Sequence, residues 1–350
     1  MTAGSRCPPL THGQRAAARP ANALGFLALV ATLGTLLLRV GHPQRARRSW
    51  LTRIPHSTAT SVLRRRDDSG SAQSVPACAE PLPEARSLQR AAALLASSVL
   101  VDSALEHYRG SFENPGMLAP LLASALTVVC GVRSGFALAP HETPMAGTVY
   151  ATAVGVGVAG TGFHVYNITK RPGGVSWLNL FYAAPVGAPA ALSIAGLIGL
   201  AARRLLRLRC LAPPRLLGAP AGRVLALLTG VGLAGTVAEA GLLHFRGAFH
   251  NPFMWVPVTL PPVASLLMLR AAFGSRQQRW ARLTRRWLRL TAGLGFAGVG
   301  FHAYGVSRAM GGWRNWSQNV IDGPPLPAPP GFAALALAGL GAVSLLDRGE

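Results

Sequence analysis

The sequence is short of charge, and short of acidic residues above all. Only 13% of its 350 residues are charged, and 12 Asp or Glu stand against 34 Arg or Lys. An average soluble domain carries roughly 25% charged residues. The charges are also clustered, with long apolar runs between the clusters. This scarcity argues against a soluble globular protein.

Lysine and cysteine are scarce as well. Lys170 is the single lysine, so nearly all of the net charge of +22 comes from arginine. The cysteines lie far apart and lack the spacing of zinc or redox motifs. They are Cys7, Cys78, Cys130 and Cys210. We therefore expect no cysteine-based metal or redox centre.

Eight apolar segments occupy the chain from residue 88 onward. A helix that crosses a bilayer needs about 20 predominantly apolar residues. The segments are continuous and do not alternate with period two, which favours helices over strands. They run over Leu88–Leu105, Met117–Val132, Ala146–Val165, Leu180–Ala202, Val224–His244, Met254–Phe273, Leu290–Val306 and Gly331–Leu346. We expect an all-α polytopic integral membrane protein with eight core transmembrane helices.

The arginines predict the orientation. They concentrate at 64–66, 203–215 and 276–286, which fall on one side of the membrane if the eight segments alternate. The positive-inside rule assigns that side to the cytoplasm. The expected localisation is a bacterial inner membrane, with the opposite loops in the periplasm. Apolar spans would interrupt a basic nucleic-acid-binding face, so the bilayer is the expected partner and nucleic acid is not.

The stretch 276–290 places tryptophans at helical spacing among arginines. Trp280, Leu283 and Trp287 would share one face of a helix. Such an amphipathic helix is typical of a membrane surface. We expect it to lie in the cytoplasmic interface before segment seven turns into the bilayer.

Residues 1–85 form an N-terminal extension. The apolar run Ala21–Val40 is either an extra transmembrane helix or a signal sequence, and no clear cleavage site follows it. Residues 41–85 are polar and rich in Arg, Ser and Pro, which predicts disorder. A start codon downstream is a third alternative, and the sequence leaves all three open.

A motif recurs within the chain. His107–Pro120 returns as His244–Pro257, with His, Arg-Gly, Phe, Asn-Pro, Met and Pro in matching positions. Asp102 and Glu239 each lie five residues before the motif. Self-similarity at this density indicates an internal duplication.

Two further matches extend the repeat. Gly155–His164 returns as Gly293–His302 with its glycines at equal offsets, and Ala195–Leu197 matches Ala338–Leu340. The units 86–210 and 211–350 would each hold four helices. Because four is even, the two units should run in parallel about an axis along the membrane normal.

The repeat predicts a layer of histidines at the outer face. Segments one, three, five and seven point the same way, and each ends in a histidine. These are His107, His164, His244 and His302, with His250 as an addition in the second unit. Neutral imidazole is a good ligand for heme iron and for transition metals. Heme b or a transition metal is therefore the expected cofactor, and a role in helix capping is the structural alternative.

Glycines accompany two of the histidines. They lie one and two turns before His164 and His302, at Gly157, Gly160, Gly295 and Gly298. A strip without side chains would let a flat macrocycle approach the backbone. The alternative is a seam for close helix packing, which is the commoner use of small residues in membranes.

Carboxylates suggest a second kind of site. Asp102 and Glu239 lie about 7 Å deeper than the neighbouring histidines, at 1.5 Å per helical residue. Acidic groups at such depth are costly and typically functional. We expect proton or cation handling there, or else a protonated carboxyl bonded to a neighbouring helix.

Two more residue pairs recur in the outer turn. Arg109 and Arg246 are candidates for binding a heme propionate or another anion, or for holding turn carbonyls. Asn114 and Asn251, each followed by proline, predict helix starts.

The leading hypothesis is a membrane subunit that binds heme or a metal near the outer face and passes electrons or protons, with a membrane or periplasmic redox partner. The first alternative is a transporter for a small solute or ion with its site at the pseudo-twofold axis. The second is a non-catalytic scaffold. No phosphate-binding loop or nucleophile elbow is present, and the sequence does not decide whether the chain is an enzyme.

Overall fold

The computed structural model describes residues 83–136, 144–207, 214–274 and 278–348. The N-terminal extension lies outside these residues, with Ala21–Val40 and the arginines at 64–66. So do Cys7, Cys78 and Cys210. The described residues 83–207 are called the first half below, and 214–348 the second half.

The described residues are helical apart from one short hairpin and the connecting turns. The helices are α1 Pro83–Arg109, α2 Leu118–Phe136, α3 Ala146–Thr169, α4 Trp177–Tyr182, α5 Gly187–Arg207, α6 Ala221–Arg246, α7 Val256–Thr259, α8 Pro261–Phe273, α9 Gln278–Arg308, α10 Trp316–Asp322 and α11 Pro330–Arg348. Three 3₁₀ turns cover Pro115–Met117, Pro252–Trp255 and Gly312–Asn315. The strands β1 Arg215–Leu216 and β2 Ala219–Pro220 pair antiparallel in the link between the halves.

Six helical segments in the described ranges are long and apolar enough to cross a membrane. They are Pro83–Arg109, Pro115–Phe136, Gly187–Arg207, Ala221–Arg246, Pro252–Phe273 and Pro330–Arg348. The prediction of an all-α, multi-pass membrane protein is confirmed to this extent. The helices α3 and α9, of 24 and 31 residues, are not among the six.

Prolines divide two of the predicted segments. Segment four was expected from Leu180 to Ala202, but its long helix begins only at Gly187, after a break that contains Pro185. Segment six is divided between α7 and α8, and Pro261 begins the second of these. Proline has no N–H to donate, so a helix that reaches it is interrupted or begins anew.

The helix α9 departs from expectation at its start. The arginine-rich stretch was expected to lie in the membrane surface before the chain turned inward. Instead, Gln278–Arg308 is one helix of 31 residues. At 1.5 Å per residue it is about 46 Å long, well beyond the roughly 30 Å of the hydrocarbon layer. The stretch therefore continues the axis of the apolar segment.

Contacts at both ends establish that α3 and α5 are antiparallel along their full length. Near one end, a Cβ on Gly147 would meet the guanidinium of Arg203. Near the other, His164 Nδ1 lies 2.5 Å from the Pro185 carbonyl oxygen. We call the ends that hold Arg203 and His164 the arginine end and the histidine end.

The helices α9 and α11 are related in the same way. Arg285 pairs with Asp347 at the arginine end. His302 Nδ1 lies 2.7 Å from the Pro325 carbonyl oxygen at the histidine end. The helices α3 and α9, which are not among the six candidate spans, thus each run beside a candidate span from end to end.

The same packing order is found in both halves. In the first half, α1 packs on α2 and α5, and α3 packs on α5 and more lightly on α2. In the second, α6 packs on α8 and α11, and α9 packs on α11 and more lightly on α8. Between the halves, α1 packs on α11 and α5 meets α6. The core between these helices is built mainly from alanine and leucine, which lets their backbones approach closely.

Glycine contacts correct one detail of the sequence alignment. A Cβ on Gly199 would press on the ring of Tyr150, and a Cβ on Gly339 would press on Leu288. Tyr150 and Leu288 occupy matching positions in the two sequence units. Gly199 therefore corresponds to Gly339, and the match of Gly196 with Gly339 was wrong by three residues.

Candidate functional site

The two motif turns have the same backbone conformation. Ser111 and Phe112 have positive φ in the first, and Ala248 and Phe249 have positive φ in the second. Five backbone hydrogen bonds recur at matching positions, including Phe112 N to His107 O at 3.0 Å and Phe249 N to His244 O at 3.1 Å. Positive φ is strained for residues other than glycine. The shared turn and its hydrogen bonds place each histidine in the same way relative to the helix that follows.

Asparagine begins the helix after each turn, as the sequence predicts. The Asn114 side chain accepts the Gly116 N–H at 2.8 Å, and Asn251 accepts the Phe253 N–H at 3.0 Å. Both asparagines are N-caps, and proline follows each at the first position of the 3₁₀ turn. These residues are structural.

All four repeat histidines make the same kind of bond. Each ring Nδ1 is within hydrogen-bonding distance of a backbone carbonyl that lies one to five residues before the start of a following α-helix. The pairs are His107 with Met117 at 2.8 Å, His164 with Pro185 at 2.5 Å, His244 with Met254 at 2.7 Å and His302 with Pro325 at 2.7 Å. The rings are half-buried at the histidine end.

Proline accounts for the choice of carbonyl. Pro189 and Pro329 lie four residues after the carbonyls of Pro185 and Pro325. Those carbonyls would bond to the N–H of the fourth residue in a regular helix, and proline has none. The carbonyls of Met117 and Met254 similarly lie three residues before a proline. Each of these prolines thus marks the carbonyl partner of a histidine, which sequence reasoning missed.

The bonds determine which nitrogen carries the hydrogen. A carbonyl oxygen only accepts, so Nδ1 must donate in every ring. In the neutral ring, Nε2 is then unprotonated and has a free lone pair. Among the described residues, no Nε2 of the four has a hydrogen-bond partner. Fixing one nitrogen on a carbonyl is the usual way in which proteins orient a metal-binding histidine.

The histidines are grouped in two pairs, one in each half. His107 and His164 are close enough for their charges to interact, and so are His244 and His302. The members of a pair come from helices that lie diagonally across their half. Within the described residues, no group of three or more His, Cys, Asp or Glu is arranged to hold a metal ion. Each pair thus offers two imidazoles and no third ligand.

The predicted carboxylates lie in the same region, at the junction of the halves. Asp102 on α1 and Glu239 on α6 are partly buried and close enough to interact electrostatically, and Glu106 is also near. The Glu239 carboxylate faces the backbone N–H of Gly187, the first residue of α5. A methyl group on Gly187 would occupy the space of the Glu239 carboxylate. Glu239 is therefore placed at the positive end of a helix of the other half.

The carboxylates differ in their surroundings. Helix α5 offers Glu239 an N–H at Gly187. Pro189 matches Pro329 in the second half, so Gly187, two residues earlier, corresponds to Pro327. Pro327 has no N–H. The carbonyl of Pro327 accepts a hydrogen bond from Ser98, one turn before Asp102. The site between the halves is thus asymmetric although the sequence motif is repeated.

The two predicted arginines have different partners. Arg109 is exposed and pairs with Glu106 three residues earlier on the same helix. Arg246 bonds to the Ala183 carbonyl at 3.2 Å and lies 5.5 Å from the centre of the Phe181 ring. Arg246 therefore joins α6 to the segment before α5, rather than to its own turn. A role of either arginine in anion binding stays a prediction.

The glycine strips are packing seams. A Cβ on Gly157 would come within 2.5 Å of the Pro189 carbonyl oxygen, and Gly160 lies under the same proline. A Cβ on Gly295 would come within 2.6 Å of the Ala333 nitrogen, and Gly298 lies under Pro329. The space beside these glycines is filled by α5 and α11. Of the two alternatives from the sequence, close helix packing is the one observed.

Aromatic residues cover the junction of the halves. The rings of Trp177 and Phe181 on α4 lie 6.3 and 5.8 Å from the ring of Phe245 on α6. This contact extends the link made by Arg246.

The chain was compared with protein-family models, with curated proteins and with solved structures, and no match was found. A fold alone would not establish function in any case. The functional argument therefore depends on the geometry of the histidine pairs and the carboxylates.

Proposed function

We propose that this chain is an eight-span membrane protein of two parallel four-helix repeats that binds heme at its histidine pairs and transfers electrons. The observation that carries the proposal is the common orientation of the four imidazoles. Every Nδ1 is held by a carbonyl, so every Nε2 is available as a ligand.

The helix arrangement supports eight spans. If α5 crosses the bilayer, α3 must cross too, because the two are in contact at both ends. The same argument applies to α9 beside α11. Equal packing orders and equal motif turns in the two halves support the duplication.

The number of ligands favours heme over a bare metal ion. Structural zinc takes four protein ligands and catalytic zinc takes three. Each pair provides two imidazoles, and the described residues add no third ligand. Two imidazoles would be enough to hold a heme iron, because the porphyrin would supply the remaining ligands. The pairs therefore fit a heme iron in the number and the chemistry of their ligands.

The test is the spectrum of the purified full-length chain. We expect a reduced-minus-oxidised heme band and up to two irons per chain, one for each histidine pair. His107→Ala and His302→Ala should each remove about half of the heme, and the double variant should remove all of it. His250 provides the matched control, because its Nδ1 also bonds a carbonyl, Gly247 at 2.9 Å, but the ring is exposed and outside the pairs.

Two further observations sharpen the test. Added imidazole should restore heme to His107→Ala, because a free imidazole can occupy the vacated ligand position. Absence of both heme and iron from protein expressed with sufficient heme would refute the proposal. Equal loss of heme from His250→Ala would also count against it, since the pairs would then have no special role.

The arginines support an orientation with the arginine end in the cytoplasm. Arg203, Arg204 and Arg207 lie at one end of α5, and Arg279–Arg289 at the same end of α9. The positive-inside rule places such an end in the cytoplasm. The histidine end would face the periplasm, where a soluble or membrane redox partner could reach it. Accessibility of single cysteines at 108 and 204 to impermeant reagents tests this orientation.

A second candidate function is proton or cation transfer between the halves. The proximity of Asp102 and Glu239 from different halves favours it, because intramembrane carboxylates are typical of ion pathways. Transport in proteoliposomes should then be abolished in Asp102→Asn and in Glu239→Gln. Unchanged flux in both variants would exclude these carboxylates from the pathway.

A further inference from the structure

One face of α9 carries a stripe of exposed arginines. Arg279, Arg282, Arg286 and Arg289 are all exposed, and their spacing of three, four and three places them along one side of the helix. The opposite side holds the buried Thr284 and packs into the protein. We call these four residues the arginine stripe.

The arginine stripe has no acidic partner in the part of the chain that the structure describes. Within the described residues, none of its four members forms an ion pair. The neighbouring Arg285 shows the contrast, because it is half-buried and pairs with Asp347. Arg348 likewise pairs with Glu84. The structure thus separates arginines that hold helices together from arginines that carry free charge on the surface.

The same face becomes apolar directly after the stripe. Leu290 and Phe296 are 58% and 55% exposed, and the exposed Gly293 lies between them. In a membrane-spanning helix such residues face lipid tails. The change from Arg289 to Leu290 therefore marks the edge of the hydrocarbon layer. This step depends on α9 crossing the bilayer, as proposed above, but not on heme.

The position of this edge brings the stripe into the headgroup layer. Ten residues separate Arg279 from Arg289, a rise of about 15 Å. The headgroup region extends roughly 5–8 Å beyond the hydrocarbon on each side. Arg286 and Arg289 thus lie at the depth of lipid phosphates, and the other two lie within about a Debye length of the surface.

The first half has no such stripe. Its corresponding helix, α3, begins at Ala146 and carries no arginine. The helix α9 begins earlier by nearly two turns relative to the matching histidines, and the added turns carry Arg279 and Arg282. The stripe is therefore not a general consequence of the repeated fold.

We infer that the arginine stripe binds the headgroups of anionic phospholipids in the leaflet at the arginine end. Charge complementarity and direct continuity with the lipid-facing surface both favour this ligand. Guanidinium groups bind phosphate through paired N–H donors. An acidic protein or a nucleic acid would have to displace the lipids that already adjoin Arg286 and Arg289.

The test measures lipid preference around the full-length protein in bilayers. Spin-labelled phosphatidylglycerol and phosphatidylcholine are compared in vesicles of phosphatidylcholine, with the association constant of each label taken from its motionally restricted fraction. The double variant Arg286→Gln/Arg289→Gln should lower the preference for phosphatidylglycerol by roughly five-fold or more, given the usual contribution of a basic residue at a membrane surface.

The matched control removes the same charge elsewhere at the arginine end. Arg133 and Arg204 are exposed near the ends of α2 and α5. Arg133→Gln/Arg204→Gln should change the lipid preference by less than about two-fold, because these residues lie outside the stripe. Thermal unfolding of all variants verifies that they are folded.

Several results would overturn the inference. One is an equal effect of the two double variants, which would indicate net charge rather than a site. Another is an unchanged lipid preference in the stripe variant, which would indicate that the stripe binds an acidic partner in solution and not lipid headgroups. A third is stronger displacement of phosphatidylglycerol by inorganic phosphate than by chloride at equal ionic strength, which would indicate a site for free phosphate. Heme content, measured on the same samples, reports separately on the proposed function.

Discussion

Replacing Gly187 with alanine should loosen the junction between the two halves. The new methyl group would take the space of the Glu239 carboxylate. Glu239 would have to turn away from the start of α5, where the backbone N–H and the helix dipole now stabilise its charge. The perturbation is small in chemical terms, but it acts on a close contact between a carboxylate and the opposite half.

The expected magnitude follows from opposing contributions. Loss of the position at the helix N-terminus costs about 0.5–2 kcal/mol in partly buried surroundings. Overpacking of a tight contact adds about 1–3 kcal/mol. Replacement of glycine by alanine in a helix returns up to about 1 kcal/mol. The free energy of unfolding should therefore fall by about 1–4 kcal/mol.

The assay is reversible unfolding in mixed micelles with increasing SDS, followed by circular dichroism. Gly235→Ala is the matched control, because Gly235 lies one turn before Glu239 on α6 and a Cβ there would meet nothing within 4 Å. That variant should be neutral or slightly stabilising. In the Glu239→Ala background, Gly187→Ala should lower the free energy of unfolding by less than about 1 kcal/mol, because the short alanine side chain leaves room for the new methyl group. If Gly187→Ala were as destabilising in the Glu239→Ala background as in the unchanged protein, the reasoning would be refuted.

Three further predictions concern stability in the same assay. Gly295→Ala should destabilise by about 1–3 kcal/mol because its Cβ would press on the backbone of α11, whereas Gly293→Ala, where nothing lies within 4 Å, should not; equal effects would contradict the packing seam. Tyr150→Phe should cost about 1–2 kcal/mol, because the buried hydroxyl donates to the Gln89 side chain, and a neutral result would mean that this hydrogen bond contributes nothing net. Asn251→Ala should cost about 1 kcal/mol through loss of the helix cap, with Asn251→Asp as the variant that retains most of the stability.

Local signals predicted the elements of the fold well. Asn114 and Asn251 cap helices as expected, because capping depends only on neighbouring residues. The apolar segments that became α1, α6 and α11 were placed to within one to five residues of the helix ends for the same reason. The start of α5 was not placed correctly. The break before Gly187 depends on the hydrogen bond between His164 and the Pro185 carbonyl, which Pro189 cannot satisfy because proline has no N–H.

Contacts between the halves had no local signal. The meeting of Glu239 with Gly187 is set by the way in which α6 packs beside α5, which sequence periodicity does not report. The misalignment of Gly196 with Gly339 has a different origin. Alanine, glycine and leucine are so frequent here that a triplet recurs by chance, and only the contacts with Tyr150 and Leu288 restore the register.

The carbonyl partners of the histidines restrict how protons can travel through these rings. A relay through imidazole takes up a proton on one nitrogen and releases another from the opposite nitrogen. Here the Nδ1 hydrogen of His164 or His302 points at an amide oxygen, which is far too weak a base to receive it. Such a ring can load a proton at Nε2 only by becoming a cation, and must return it by the same route. A proton path through the carboxyls of Asp102 and Glu239 would therefore not continue through these imidazoles.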